Sequence, residues 1–287
     1  MDSIFHNGQL AVQKITGEEA IAKGRIHMIK DAIHPRSVSF IEHQILAFLG
    51  SEDSNGALWL SLLIGERGFI SIPSVQEITI DLSKVISTKE DIFFKNITTN
   101  PTVGLLFHEA QRRARYRAWG IARRENDQLH FAIKMGYPSC PKHIQREVIE
   151  LPKSTEVETT KYQKGTLLGE FAHEWIRNAH TFFITTQTKK GDIESSHRGG
   201  NPGFIEILDN GLLRVPDYLG NSIYSTLGNI YENPKAALLF VDYKKEKHCN
   251  YLVLQHYNLI KTQKMISINL VIQVGFGPLK PNNGYEH

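Results

Sequence analysis

Cysteine is nearly missing from this chain: among 287 residues only Cys140 and Cys249 carry thiols. Two cysteines without metal-ligand spacing build neither a disulfide framework nor a zinc site, and they fit a reducing compartment. No apolar run reaches the roughly 20 residues that a membrane-spanning helix needs. The first residues lack the basic-then-apolar pattern of a signal peptide. The chain is therefore expected to be soluble and cytoplasmic, with no membrane partner. Charge of one sign is also lacking, since 33 Lys and Arg stand against 30 Asp and Glu. An excess of +3 is too small to argue for nucleic acid as a partner. His108, His143, His173 and His180 show no ligand spacing, so no metal is expected. What is present, 41% hydrophobic and 22% charged residues, suffices to bury a sizeable core.

The N-terminal stretch opens as a polar arm. Thr16-Gly-Glu-Glu19 reads as a helix start, the apolar positions from Ala20 to Ala32 as its buried face, and Pro35 as its end. Phe40 to Ile72 reads as sheet, with strands over Leu46–Gly50, Leu58–Ile64 and Phe69–Ile72 and a turn at Asp53-Ser-Asn-Gly56. A short helix over Asp91–Thr99 closes at Asn100-Pro101, and Val103–Phe107 follows as a strand. Gln111 to Gly120 then carries Arg112, Arg113, Arg115 and Arg117. On a strand, alternate residues share a face, so Arg113, Arg115 and Arg117 would lie together with Trp119. Such a face is either a solvated edge protected by charge or an anion site. A further strand is expected over Leu129–Ile133.

From Leu167 the pattern restarts: helix over Leu168–Asn178, strand over Thr181–Thr186, turn at Lys190-Gly191, helix over Ser225–Glu232 and strand over Ala236–Val241. Shifting the chain by 135 positions lays Phe40–Ile72 on Trp175–Ile207 without a gap. Phe48 then meets Phe183, Ser61 meets Ser196, and Gly56, Gly65 and Gly68 meet Gly191, Gly200 and Gly203. A shift of 133 matches Asn96-Ile97 to Asn229-Ile230, Asn100-Pro101 to Asn233-Pro234 and Leu105–Phe107 to Leu238–Phe240. Turn glycines, strand apolars and helix-ending Asn-Pro pairs in step imply two copies of one β-rich unit. The expected organisation is a first unit over residues 1–151, a linker over 152–166 and a second unit over 167–287 with a divergent tail. The tail diverges because Leu252-Val253 stands where the first copy has Trp119-Gly120.

The stretch Ser196 to Pro234 draws the chemistry together. Ser196-His-Arg-Gly-Gly200 and Asp217-Tyr-Leu-Gly-Asn-Ser222 flank a turn at Asp209-Asn-Gly211. Asp-Asn-Gly between apolar runs is a hairpin signal, and a hairpin would set its two polar ends side by side. Guanidinium, amide and hydroxyl donors then converge as a phosphate requires. The first copy lacks this set, and the second lacks the arginine strand, so one site built from both copies is expected.

Ser-His-Arg-Gly-Gly-x-Pro-Gly-Phe, Pro-Asp-Tyr-x-Gly-Asn, Leu-Gly-Asn-Ile-x-x-Asn-Pro and Leu-Leu-Phe-Val-Asp together resemble the pyridoxamine 5′-phosphate oxidase-like, FMN-binding split-barrel family. The likeness is to its long tandem members, described as flavin-nucleotide-binding proteins. It runs from about Phe5 to about Lys245, and Cys140-Pro-Lys-His-Ile-Gln145 resembles the stretch that closes their first repeat. The resemblance implies a mainly β chain with a few helices: two tandem six-stranded split β-barrels packed as an internal pseudo-dimer, with FMN as cofactor between them. Carried over, the cofactor-binding residues are Ser196, His197, Arg198, Gly199, Asp217, Tyr218, Asn221, Ser222, Arg113 and Arg115. Arg198 and Arg115 suit a phosphate dianion, Asn221 and Ser222 add neutral donors, and Gly199 and Gly200 would let backbone approach the flavin ring. Tyr218 is equally readable as a core aromatic. No catalytic residue is assigned, and His197 is the single candidate for proton transfer.

The chain lacks the Trp-x-x-x-x-Arg-x-His-type ending with which true pyridoxamine phosphate oxidases grip their substrate. The expected function is an FMN-dependent oxidoreductase of another specificity, acting on a small molecule or a redox partner. A non-catalytic flavin or haem binder is the alternative. A homodimer of the whole chain stays open.

Overall fold

The computed structural model describes residues 4–87, 90–139, 141–146, 170–208, 213–242, 250–262 and 265–270. The expected linker and both cysteines lie outside them.

Three helices open the chain, α1 (Asn7–Thr16), α2 (Glu19–Gly24) and α3 (Pro35–Glu42). Pro35 begins a helix here instead of ending one. Its missing N–H falls where a helix has no use for it, and His34 caps that end by accepting from the Arg36 amide at 3.2 Å. Consequently Phe40 is helical, and the sheet starts later than the sequence pattern suggested. The first half then gives β1 (Leu46–Glu52), β2 (Leu58–Ile64), β3 (Ile70–Ser74), β4 (Glu77–Asp81), α4 (Ile92–Thr99), β5 (Thr102–Glu109), β6 (Ala114–Glu125) and β7 (Gln128–Ser139). The second half gives α5 (Glu170–Asn178), β8 (Thr181–Gln187), β9 (Ile193–Gly199), β10 (Glu206–Ile207), β11 (Leu213–Pro216), α6 (Ser225–Glu232), β12 (Lys235–Asp242), β13 (Asn250–Thr262) and β14 (Met265–Leu270).

Each half forms one antiparallel seven-stranded sheet, in the orders β2-β1-β5-β6-β7-β4-β3 and β9-β8-β12-β13-β14-β11-β10. Replacing each strand of the first half by the strand seven places later turns one order into the other. The divergent tail thus contributes β13 and β14 at the places of β6 and β7. Seven strands appear where six were expected because the short edge strands β3 and β10 pair with β4 and β11. The first sheet curls around a core that draws on β1 to β7, including Leu49, Ile70, Ile80, Phe107 and Phe131. A smaller core of Phe182, Ile184, Leu213, Leu238 and Phe240 serves the second.

The matched asparagines do the same work twice. Asn96 donates to the Ser51 hydroxyl and Asn229 to the Thr186 hydroxyl, each at 3.0 Å. Asn100 donates to Glu52 at 2.7 Å and Asn233 to Gln187 at 3.1 Å. Each pair ties a helix to the sheet below it. That sheet anchorage, and not helix formation alone, explains these residues.

Between the sheets lies a third core, with Leu46, Phe48, Leu58, Leu60, Leu62 and Leu106 facing Phe183, Ile193, Ala237 and Leu239. Equivalent residues meet there: Phe48 stacks on Phe183 at 3.7 Å between centroids, and Gln187 donates to Glu52 at 2.9 Å. Truncating either buried phenylalanine to alanine would cost about 3–5 kcal/mol. Gly104 permits the close approach, since a Cβ there would meet the Ile193 carbonyl at 2.8 Å. This packing brings β6 of one half against β9 of the other. No helix among the described residues is long and apolar enough to cross a membrane.

Candidate functional site

A cleft of about 880 Å³, counting space open to solvent, lies where β6 and β9 meet. Ser196, His197, Arg198 and Gly199 reach it from β9. Asp217, Tyr218, Asn221 and Ser222 reach it from the loop between β11 and α6, and Arg115 from β6. Nine of the ten residues expected from the sequence therefore line one space. Arg113 does not: it sits in the turn before β6 with φ 53° and its amide on the Ala110 carbonyl, so the strand alternation that grouped it with Arg115 does not extend to it.

The route to convergence also differs from the hairpin reading. The hairpin is β10 with β11, while Ser196–Gly199 belongs to β9 at the opposite edge of the sheet. Gly203 (φ 84°) follows Pro202 in the turn that separates β9 from β10. The sheet curls until its edges approach, and Arg198 meets Asp217 at 3.2 Å. Gly199 and Gly200 answer to the protein's own packing: a Cβ on Gly199 would strike the His143 carbonyl, and one on Gly200 the Phe204 ring at 2.6 Å. Tyr218 is not a core aromatic. It is 41% exposed and stacks on His143 at 4.8 Å.

Arg115 donates to Nδ1 of His197 at 2.8 Å, crossing from one half to the other. Since arginine only donates, Nδ1 accepts, and the proton sits on Nε2 facing Thr181. Both ring nitrogens are engaged in a buried neutral imidazole. Burial chiefly, and then the nearby His108, Arg115 and Arg198, hold its pKa well below the ordinary histidine value. His108 stacks on it at 4.5 Å and is pushed down to about 3, by burial first and Arg115 second. Burial raises the Asp217 carboxyl above its usual range, with Arg198 opposing.

Arg117, which the sequence placed beside Arg115, also lines the cleft and pairs with buried Glu194 at 3.0 Å. Lys142 adds a fourth cationic side chain. Arg115, Arg117, Lys142 and Arg198 against Asp217 and Glu194 leave two positive charges in excess.

The start of α6 completes the wall through Tyr224, Ser225 and Thr226. Tyr224 occupies the left-handed region (φ 57°, ψ 32°) directly before the right-handed helix, and Ser222 is left-handed too (φ 59°). A left-handed residue followed by a right-handed one turns consecutive amides toward one concavity, and the first-turn N–H groups have no intrahelical acceptor. Tyrosine rarely adopts this conformation, so nothing in the sequence announced it. Ser225-Thr226 at a helix start was a readable hint.

The equivalent place in the first half is closed. Asp91, matched to Tyr224 by the shift of 133, caps α4 by accepting from the Phe93 amide at 2.8 Å. Ser61, the counterpart of Ser196, donates to the same carboxylate. Leu62, Leu63 and Ile64 stand where the second half has His197, Arg198 and Gly199. Asp91 is buried, and its own carboxylate fills the position that the second half leaves open.

No family profile matches this sequence, and no curated protein matches it significantly. Among solved structures, a putative pyridoxamine 5′-phosphate oxidase from Lactobacillus delbrueckii is similar at 12% identity, covering 38% of this chain and 95% of its own, with TM-score 0.30. HutZ, the heme storage protein from Vibrio cholerae, is similar at 12% identity over 39% of this chain and 97% of its own, with TM-score 0.28. An FMN-binding protein from Syntrophomonas wolfei is similar at 8% identity over 38% of this chain and 90% of its own, with TM-score 0.28.

Proposed function

We propose that this chain is a flavoprotein that holds one FMN in the cleft between its two sheets, on a duplicated split-barrel scaffold packed as an internal pseudo-dimer. The observation that carries the reading is the convergence of Arg115 with Arg198 and the start of α6 on one space with two positive charges in excess. A phosphate dianion matches that excess, and the amides at Tyr224 to Thr226 with the hydroxyls of Ser222 and Thr226 suit its oxygens. Leu106, Phe204, Pro216 and the Tyr218 ring give the same cleft the apolar surface that a flat aromatic group requires.

FMN, when bound, supplies hydride or electron transfer. The protein's part is binding, orientation and electrostatics. Arg198 is kept in place by Asp217, and Arg115 by His197, so the two guanidinium groups are fixed before a ligand arrives. His197 is assigned to positioning Arg115 instead of to proton transfer, because both its nitrogens are occupied within the protein. Oxidoreductase activity toward a small molecule or a redox partner is the preferred role. Flavin carriage without turnover is the second reading, favoured by that same engagement of His197.

The test is the ultraviolet-visible spectrum of the purified full chain, with released cofactor identified by mass. Flavin bands and the mass of FMN are expected, and bleaching by NADH or NADPH would support turnover. A Soret band after haemin addition, with no affinity for FMN, would overturn the reading.

A further inference from the structure

The loop that carries the candidate phosphate site is tied to its own half through Asp217 and Arg198, but its far end is held from elsewhere. Residues 220 to 224 are fastened from the N-terminal arm, about 200 positions away in sequence. Gln9 and Gln13, both on α1, donate to the Ile223 carbonyl at 3.0 and 3.3 Å. Arg25 donates to the Gly220 carbonyl at 3.1 Å. The Tyr224 hydroxyl donates to Glu18 at 2.9 Å, and burial pushes that phenol up to about 12, so it remains a donor across the physiological range.

These bonds fall on the strained part of the loop. Ser222 and Tyr224, both non-glycine and left-handed, bracket fully buried Ile223. Such a backbone persists only where its surroundings over-determine it, at about 1–3 kcal/mol for each strained residue. The surroundings here are the arm. Gln13 is 1% exposed and Gln9 5%, so their amides lose hydration to reach one carbonyl. That is costly for a surface helix unless the carbonyl must point that way. Packing agrees with polarity: Phe5, Ala22, Ile29 and Ile223 form one apolar cluster with Tyr137. Gly8 on α1 also meets Gly228 on α6 so closely that a Cβ on Gly8 would strike the Gly228 carbonyl.

We infer that the N-terminal arm is a positioning element for the phosphate site, with Gln9, Gln13 and Glu18 as the positioning residues that aim the amides of Tyr224 to Thr226. None of the three lines the cleft; each acts through the 220–224 loop. The inference rests on the flavin reading above, and it separates phosphate recognition from ring recognition.

The test compares FMN with riboflavin, which has the same ring system and no phosphate. Both are titrated into the full chain as wild type, Gln13→Leu, Glu18→Ala and Glu18→Gln, with unfolding followed in parallel. Gln13→Leu and Glu18→Ala should each weaken FMN about tenfold while leaving riboflavin unchanged. Glu18→Gln keeps an acceptor for Tyr224 and should restore FMN affinity. Equal losses for both flavins would mean a purely structural role and overturn the inference, as would no loss for either. Should Gln13→Leu fail to fold, the Glu18 pair decides alone, because that side chain is at the edge of the arm. A wild-type protein that binds neither flavin would refute the flavin reading itself, a result distinct from these.

Discussion

Glu194→Gln isolates the ion pair that joins the halves beneath the cleft. The substitution keeps shape and removes one charge. Arg117 and Glu194 are 8% and 4% exposed, with Nη2 and Oε2 at 3.0 Å, and the guanidinium lies 5.3 Å from the centre of the Tyr137 ring. The neutral amide therefore leaves a buried cation facing no counter-charge. Breaking one side of such a pair costs about 3–5 kcal/mol, a large share of a typical total stability of roughly 5–15 kcal/mol. Urea unfolding at pH 7 should show a lower midpoint at an unchanged slope. Replacing both partners together, Arg117→Met with Glu194→Leu, should recover most of the loss, because the penalty belongs to the orphaned charge and not to the missing bond. Arg117 lines the cleft, so Glu194→Gln should also raise its positive excess and tighten FMN at low salt. A Glu194→Gln protein within about 1 kcal/mol of wild type would refute this reasoning, since that is the value of a solvated pair.

Arg115→Ala should weaken FMN by about 10- to 100-fold, the range for losing a charge-assisted hydrogen bond; unchanged affinity would mean that the first half does not contribute to the site. Arg198→Ala should act similarly and also leave Asp217 without its partner, so Arg198→Ala with Asp217→Asn should lose less stability than Arg198→Ala alone. Acid should destabilise the protein early. The pKa values of His108 and His197 are lower folded than unfolded, so their contribution is complete above about pH 6.5 and falls as pH drops toward the folded values. At pH 5 that amounts to about 2 kcal/mol for His108, with His197 acting in the same direction, and His108→Phe should flatten the stability-against-pH curve between pH 6.5 and 4; an unchanged slope would contradict the burial argument. Asp91→Ala should cost about 1–2 kcal/mol as a lost helix cap without creating a second flavin site, because Leu62, Leu63 and Ile64 offer no side-chain donors there.

Much of this architecture was legible because local and repeated signals agreed. The limits of β2 and the ends of α4 and α6 follow from apolar runs and Asn-Pro pairs, and the two copies reinforced one another. Nine of the ten residues carried over from the family resemblance line one cleft, and they come from two short polar stretches and one arginine strand that the repeat does not duplicate. What stayed hidden depends on tertiary contact. Helix α1 has no strong apolar face, and its Gly8 and Gln13 make sense only beside Gly228 and Ile223. The strand reading of Arg113 failed because a turn residue with positive φ is invisible to alternation. The hairpin reading found the right partners by the wrong path, since sheet curvature, and not strand pairing, brings Arg198 to Asp217.

Titration of the full chain with FMN, followed by flavin absorbance and fluorescence, tests the central claim most directly. One FMN per chain is the expected result, bound through the second half's open helix start while Asp91 fills its counterpart. Two per chain, or none, would contradict it.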